Sequence, residues 1–300
     1  MRLVIALGGN ALSPARAPFD IDAQRHLIRD TARHIAALCG EHRIVVTHGS
    51  GPQVGYVAGL AAPGETPPAF PLDIVDAETD ALIGYEIERE LRARAPDLPT
   101  ATLLTMIEVD ADDPAFAAPD KPIGPVYPAS RQVELQRAHG WMLHPVPGGV
   151  RRVVASPRPK RILEVAAVRA LLDAGHLVIA CGGGGIPVIR EGTDLRGAEA
   201  VIDKDRASAL LAREIAADAL LLLTDVDGVY RDWPEPMTDR VAETNPASLG
   251  TLRLAAGSMG PKAEAACDFV RHSGTFAAIG RLDDLPRLVA RQAGTIVVSD

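Results

Sequence analysis

Lysine is scarce in this chain of 300 residues: its 31 Lys and Arg residues include only Lys121, Lys160, Lys204 and Lys262. Arginine therefore serves the general surface, and each lysine marks a position where a compact ammonium on a flexible stem does what guanidinium cannot. Cysteine is scarce too. Cys39, Cys181 and Cys267 are odd in number, far apart and without a Cys-x-x-Cys pair. That excludes a disulfide framework and reads as reduced, buried thiols in a cytosolic protein. Aromatic residues make up 4%, so the core is aliphatic. The longest apolar runs span about five to seven residues, short of the ~20 that a spanning helix needs. Near the start, Gly-Gly-Asn interrupts the apolar run before a signal-peptide core forms. A net charge of −8 argues against nucleic acid as the main partner. The eight histidines contain no His-Glu-x-x-His pair, which removes the usual protein-held zinc. No GxxxxGK[ST] loop and no protein-kinase HRD or DFG element occurs.

What the chain does contain is alternation. Continuous apolar runs at residues 3–7, 44–47, 101–105, 177–181, 219–223, 275–279 and 295–298 read as buried strands. Helical patterns lie between them at 22–38, 162–172, 205–215 and 261–270. In the first, Leu27, Thr31, Ile35 and Leu38 share a face. This order predicts an α/β protein with a largely parallel sheet covered on both faces. Residues 109–128, crowded with Asp, Pro and Ala, are too long for a routine connection and read as functional or disordered. The lobe boundary falls near Ala216.

Six segments carry the chemistry. LGGNAL (7–12) and THGSGPQVG (47–55) each follow a strand, where ligands sit in open α/β sheets. Their glycines let backbone N–H groups approach an anion, with Asn10 and Ser50 as side-chain donors. His48, beside a glycine turn and lacking an evident partner, reads as structural rather than as a general base. CGGGGIPV (181–188) is a glycine bend that admits a ligand or another backbone; Pro187 argues against a dinucleotide fingerprint, although Asp203 lies about where a ribose-binding acid is sought. In AVIDKDRASALLA (200–212), Lys204 stands between two aspartates at a helix start, with Asp203 or Asp205 as the cap. In LLLLTDVDGVY (220–230), Asp225 and Asp227 emerge from an apolar strand. In AGSMGPKAEAA (256–266), Lys262 opens a helix, and a cation at that end of the dipole calls for a bound anion. Glycine-rich strand ends with sparse lysines suit phosphoryl transfer, which asks for positioning and charge neutralisation.

The motifs ALGGNAL, THG-x-GPQVG, KPIGPVY, RRVVASP, GGGGIPV, EAVIDKD, LLTDVDGVY and GSMGPK, in this order, resemble those of the carbamate kinases of the amino-acid-kinase superfamily. The resemblance implies a three-layer αβα sandwich with a mostly parallel central sheet. It divides the chain into an acceptor lobe, 1–215, with a protruding segment near 109–150, and a nucleotide lobe, 216–300. It also implies an ATP-dependent phosphotransferase that interconverts ATP and carbamate with ADP and carbamoyl phosphate. Such an enzyme is a cytoplasmic homodimer using Mg²⁺ brought with the nucleotide, with no membrane or nucleic-acid partner. By the same resemblance, Lys121 covers the acceptor, Lys204 and Lys262 contact the transferred phosphoryl group and the nucleotide, and Asp205 orients lysines. Gly8, Gly9, Asn10, Gly49, Ser50 and Gly51 frame the acceptor. Asp225, Asp227, Tyr230, Met259 and Lys262 belong to the nucleotide side, and no residue is a metal ligand.

Four positions depart from the family pattern, all on the acceptor side. Ser50 replaces an asparagine and loses the amide's second donor. Asp76 and Asp80 stand where glycine and a longer polar residue are commoner, and Asp120 precedes Lys121 in place of threonine, where it could pair with that lysine. These leave open a different small carboxylate or carbamate-like acceptor, or a non-catalytic nucleotide sensor on the same fold.

Overall fold

The computed structural model describes the chain except residues 9–11, 13–19, 61–69, 234–236, 256–258 and 300. Eight strands form the main sheet in the order Glu243–Thr244, Thr295–Val297, Phe276–Arg281, Ala219–Thr224, Arg2–Leu7, Arg43–His48, Leu177–Ile179 and Thr100–Thr102. All neighbours run parallel except Phe276–Arg281 with Thr295–Val297.

Strand periodicity sorts the aliphatic side chains into two cores. Leu3, Ile5 and Leu7 point to one face and pack with Ile28, Ile35, Ile83 and Ile87. Val4 and Ala6 point to the other and pack with Val168, Leu211, Phe269 and Val270. The first face is covered by the helices Ile21–Ala36 and Leu72–Arg94, the second by Val165–Asp173, Lys204–Glu214 and Met259–Ser273. The result is the three-layer sandwich. Burial on both faces is why the central strands are continuously apolar rather than alternating. The strand that follows residue 216, Ala219–Thr224, pairs directly with Arg2–Leu7, so one sheet runs through both lobes. Among the described residues no helix is long and apolar enough to cross a membrane.

Several boundaries differ from the sequence expectation for local reasons. Helix Ile21–Ala36 is capped by Asp20, whose carboxylate accepts the N–H groups of Asp22 and Ala23. Its buried face centres on Ile28 and Ile35, while Leu27 is only half-buried. The run 101–105 divides: Thr100–Thr102 joins the main sheet, and Met106–Val109 enters a second, four-stranded sheet. Ile162 ends a strand of that sheet, opposite Ile107, which delays the next helix to Val165.

The segment 109–128 is ordered. Asp113 caps a short turn at Pro114–Phe116, and Lys121–Tyr127 is an edge strand of a three-stranded antiparallel sheet with Gly149–Val154 and Met142–Val146. Pro122 and Pro125 are tolerated because the strand is an edge, and the register shifts between Ile123 and Val126. This sheet docks on helix Gly51–Leu60 through two glycines. Gly124 has φ +70°, and a Cβ on Gly55 would fall on its backbone. Only glycine fits there.

Candidate active site

Strands Arg2–Leu7, Arg43–His48, Leu177–Ile179 and Ala219–Thr224 are parallel, so their carboxyl ends share one edge of the sheet. Gly8, Gly49 with Ser50, the Gly182–Gly184 turn and Asp225 all emerge there. This is where an open parallel sheet binds ligands.

Three of the four lysines converge on two aspartates at this edge. Asp203 caps helix Lys204–Glu214, its Oδ1 accepting the N–H groups of Asp205 at 3.0 Å and Arg206 at 3.3 Å. Its Oδ2 accepts Lys121 Nζ at 3.0 Å. Asp205 sits between the other two lysines. Lys262 Nζ donates to its Oδ2 at 3.2 Å, and Lys204 Nζ lies 2.8 Å from its Oδ1, off the hydrogen-bond direction. Arg206 bonds Glu264 at 2.9 Å and so ties the helix of Lys204 to that of Lys262. Thr47 Oγ1 meets Ser208 Oγ at 2.6 Å, joining the Arg43–His48 strand to the same helix.

The electrostatics follow from burial. Lys204 is 8% exposed and Asp205 4%. Burial pulls the Lys204 ammonium below its ordinary range; the Lys262 charge adds to this, and Asp205 opposes it. Burial works to raise Asp203, but the charge and hydrogen bond of Lys121, with the Arg206 N–H and Lys204, prevail and hold its carboxyl at about 2. Two ammonium groups around one carboxylate leave a net positive charge with few internal acceptors. Such an arrangement suits a bound anion.

Lys121 corrects one expectation. It is not a loop lysine paired with Asp120; it opens an edge strand, opposite Val154, and its partner is Asp203. Lys262 lies at a helix start, as expected. The helix begins at Met259, so Lys262 lies within its first turn, and Asp205 answers its charge.

Beyond the Arg43–His48 strand, Gly49 faces Lys204, whose side chain would lie 3.8 Å from a Cβ placed there. Ser50 is buried with an unpartnered Oγ, and Gly51 opens helix Gly51–Leu60. Gly8 is required for packing: a Cβ would lie 2.6 Å from the Leu223 carbonyl oxygen. Gly9 and Asn10 lie outside the described residues. The glycine bend admits neighbouring side chains. A Cβ on Gly182 would strike Asp80 and His48, and one on Gly183 would lie 2.6 Å from Ser50 Oγ.

Beyond the Ala219–Thr224 strand, Asp225 is exposed and hydrogen-bonded by Thr224. The Asp227 carboxylate accepts Tyr230 O–H at 2.8 Å, and Arg240 lies 3.7 Å away. Met259 is buried at the start of the Lys262 helix. Among the described residues no group of three or more His, Cys, Asp or Glu side chains gathers to hold a metal.

Sequence reasoning missed the double role of Asp203 as helix cap and lysine partner, and it left His48 and Asp80 unconnected. Both are fully buried, with Nε2 3.6 Å from Oδ1. The available signal was the i, i+4 spacing of Asp76 and Asp80, which places both on one helix face.

The model of the amino acid kinase family matches residues 1–280. The carbamate kinase of Rhizobium meliloti is 50% identical, with 100% of this chain and 94% of that protein covered. The carbamate kinase of Haemophilus influenzae is 44% identical, covering 98% and 96%. The solved carbamate kinase of Giardia lamblia bound to AMP-PNP superposes with a TM-score of 0.90 at 34% identity, covering 100% of this chain and 98% of that one.

Proposed function

The chain belongs to the amino acid kinase family, among its carbamate kinases, and from that premise we propose how its residues divide the work of moving a phosphoryl group between ATP and carbamate. In the forward direction a carbamate oxygen bonds to the γ-phosphorus as the bond from that phosphorus to the bridging oxygen breaks, giving carbamoyl phosphate and ADP. Such a reaction needs alignment and neutralisation of charge on the transferred oxygens more than covalent help. The observation that carries the reading is the convergence of Lys204 and Lys262 on Asp205, beside Lys121 on Asp203.

In this reading Lys204 and Lys262 bind the transferred phosphoryl group, Lys262 also meets the nucleotide phosphates, and Asp205 fixes both ammonium groups. Lys121 bears on the acceptor. Gly8, Gly9, Asn10, Gly49, Ser50 and Gly51 frame it, the last at a helix N-terminus that favours an anion. Asp225, Asp227, Tyr230 and Met259 face the nucleotide. Residues 1–215 thus serve the acceptor and 216–300 the nucleotide. Mg²⁺ enters with the nucleotide as part of the substrate, held by phosphate oxygens, because Asp203 and Asp205 are already engaged by lysines. When bound, it neutralises phosphate charge.

The same reading makes the protein a cytoplasmic homodimer. Free thiols support the compartment. Helix Leu72–Arg94 supports the dimer, because it exposes Ile74, Leu82 and Tyr85 on one face, a patch suited to a symmetric contact. Sedimentation equilibrium giving one species near twice 31.6 kDa supports it, and a monomer at micromolar concentration removes it.

The test of function is ATP formation from ADP and carbamoyl phosphate, run beside other acyl phosphates. Carbamoyl phosphate should give the highest kcat/KM. A better substrate among the others reassigns the acceptor, and nucleotide binding with no transfer to any of them makes the protein a sensor.

A further inference from the structure

His48 and Asp80 meet beneath the acceptor end of the site, each with 0% exposure. His48 ends the Arg43–His48 strand two residues before Ser50, and Asp80 lies on helix Leu72–Arg94. Both press on the Gly182–Gly184 turn, which also packs against Ser50 Oγ. The pair therefore underlies three of the groups that frame the acceptor.

The contact has an unusual feature. His48 Nδ1 lies 3.4 Å from the Gly49 carbonyl oxygen, an acceptor, so the ring proton belongs on Nδ1. That tautomer turns the bare Nε2 toward Asp80 Oδ1, 3.6 Å away. Nε2 is buried and lacks a hydrogen-bond partner, while the buried Asp80 carboxylate has the Thr105 and Gly182 backbone amides bearing on it. Two lone pairs facing each other without solvent are repulsive, and a proton between them removes the conflict.

We infer that Asp80 and His48 are a positioning pair for the acceptor, sharing one proton that keeps the floor of the acceptor site uncharged. Loss of that proton puts an uncompensated negative charge beneath Ser50 and the glycine turn, where an anionic acyl phosphate binds. Acceptor affinity then falls as pH rises. The inference rests on the carbamate kinase reading for the identity of the acceptor.

The surroundings agree on where the proton sits. Burial raises the Asp80 carboxyl to about 7; the Thr105 and Gly182 backbone amides oppose this and Glu164 adds to it. Burial lowers His48 to about 4, opposed by the Gly49 carbonyl and reinforced by Lys204. One turn earlier on the same helix, burial also holds Asp76 well above its ordinary range. Lys121 opposes that shift, while Asp73, Asp80 and Glu199 add to it. On the glycine turn, Cys181 is raised by burial, with Asp80, Glu164 and Glu214 adding, and carries no charge. Asp80 is thus the group that ionises in this cluster near neutral pH, with the Lys204 charge bearing on His48.

The experiment compares the parent enzyme with Asp80→Asn across pH 6.5–8.5, measuring KM for carbamoyl phosphate and for ADP separately. Asparagine still donates to Nε2 but cannot ionise. The parent's KM for carbamoyl phosphate should rise about 25-fold over this range, as a single essential protonated group titrating at about 7 requires. In Asp80→Asn it should stay flat, while KM for ADP is the same in both. A purely structural role would lower thermal stability and leave the two slopes parallel. Turnover by the parent at pH 6.5 tests the carbamate kinase reading. A parent that turns over with a flat KM, or a variant that keeps the parent's slope, overturns the pair alone. Should the variant fold poorly, the parent suffices. At pH 8, calorimetry of carbamoyl phosphate binding in two buffers of different ionisation enthalpy should show uptake of about one proton, and no uptake overturns the inference.

Discussion

Lys121 and Asp203, 82 residues apart in the chain, hold each other at 3.0 Å, and the same aspartate caps the helix that begins with Lys204. The three-stranded sheet is thereby latched to the helix that begins with Lys204 by an ion pair. Lys121→Ala should cut kcat with carbamoyl phosphate by at least ~10²-fold, the usual effect of losing one preorganised donor. KM for ADP should stay within a few fold. Arginine at this position should rescue poorly, because its planar fork is longer and bulkier than an ammonium. Steady-state kinetics of both variants decide it, and normal turnover by Lys121→Ala removes Lys121 from the reaction.

Asp205 is the shared counter-ion of Lys204 and Lys262, so these three should behave as one unit. Lys262→Ala should lower turnover at least ~10²-fold. Asp205→Asn should do comparable damage by releasing two ammonium groups from their geometry. The double variant should be little worse than the worse single one, since residues acting together are not additive. Additive losses in a double-mutant cycle would show that Asp205 does not act through Lys262.

Acid stability reports on Asp203. Its folded carboxyl sits at about 2 against an ordinary 3.8, so its contribution is present above pH 4 and is lost as pH falls from 4 through 2. The shift corresponds to about 2 kcal/mol. Asp203→Asn, which keeps a cap but gives up the charge, should lower Tm at pH 7 and flatten the pH dependence between 4 and 2. Unchanged melting curves across that range would contradict the pairing with Lys121.

The three thiols should be inert. Cys181 and Cys267 are buried, and burial lifts half-buried Cys39 to about 11, leaving almost no thiolate at neutral pH. Iodoacetamide at pH 7.5 should label none of them in the folded protein and all three after denaturation, as read by mass spectrometry. Rapid labelling with loss of activity would mean that at least one is reached in solution.

Removing divalent cations should abolish phosphoryl transfer, while the nucleotide-free protein should show no stoichiometric Mg²⁺ binding by calorimetry, since Asp203 and Asp205 already serve lysines. Tight binding without nucleotide would demand a protein site for the metal.

Much of this was legible in the residues. Continuous apolar strands announce a sheet covered on both faces, and the rarity of lysine singles out 121, 204 and 262 before any geometry is known. What stayed hidden is what only packing creates. Asp76 and Asp80 stand out in the sequence as departures from the family pattern, but only packing shows that helix Leu72–Arg94 turns them inward, at 1% and 0% exposure. Gly8 reads as a ligand glycine, yet the Leu223 carbonyl alone would forbid a side chain there. The 109–128 segment looked irregular because Pro122 and Pro125 mask a strand that an edge position permits.

The contact between Gly55 and Gly124 sets the mechanical character of the acceptor region. With no side chain between them, the backbone of the protruding sheet bears directly on the backbone of the helix that starts at Gly51. There is no compressible layer to absorb relative displacement. A push on the sheet that carries Lys121 is transmitted along that rigid helix to Ser50 at its head, about 7 Å away at 1.5 Å per residue. Lever and seat move as one piece, and even a single methyl at residue 55 would act as a wedge, prising Lys121 away from the site without touching a substrate.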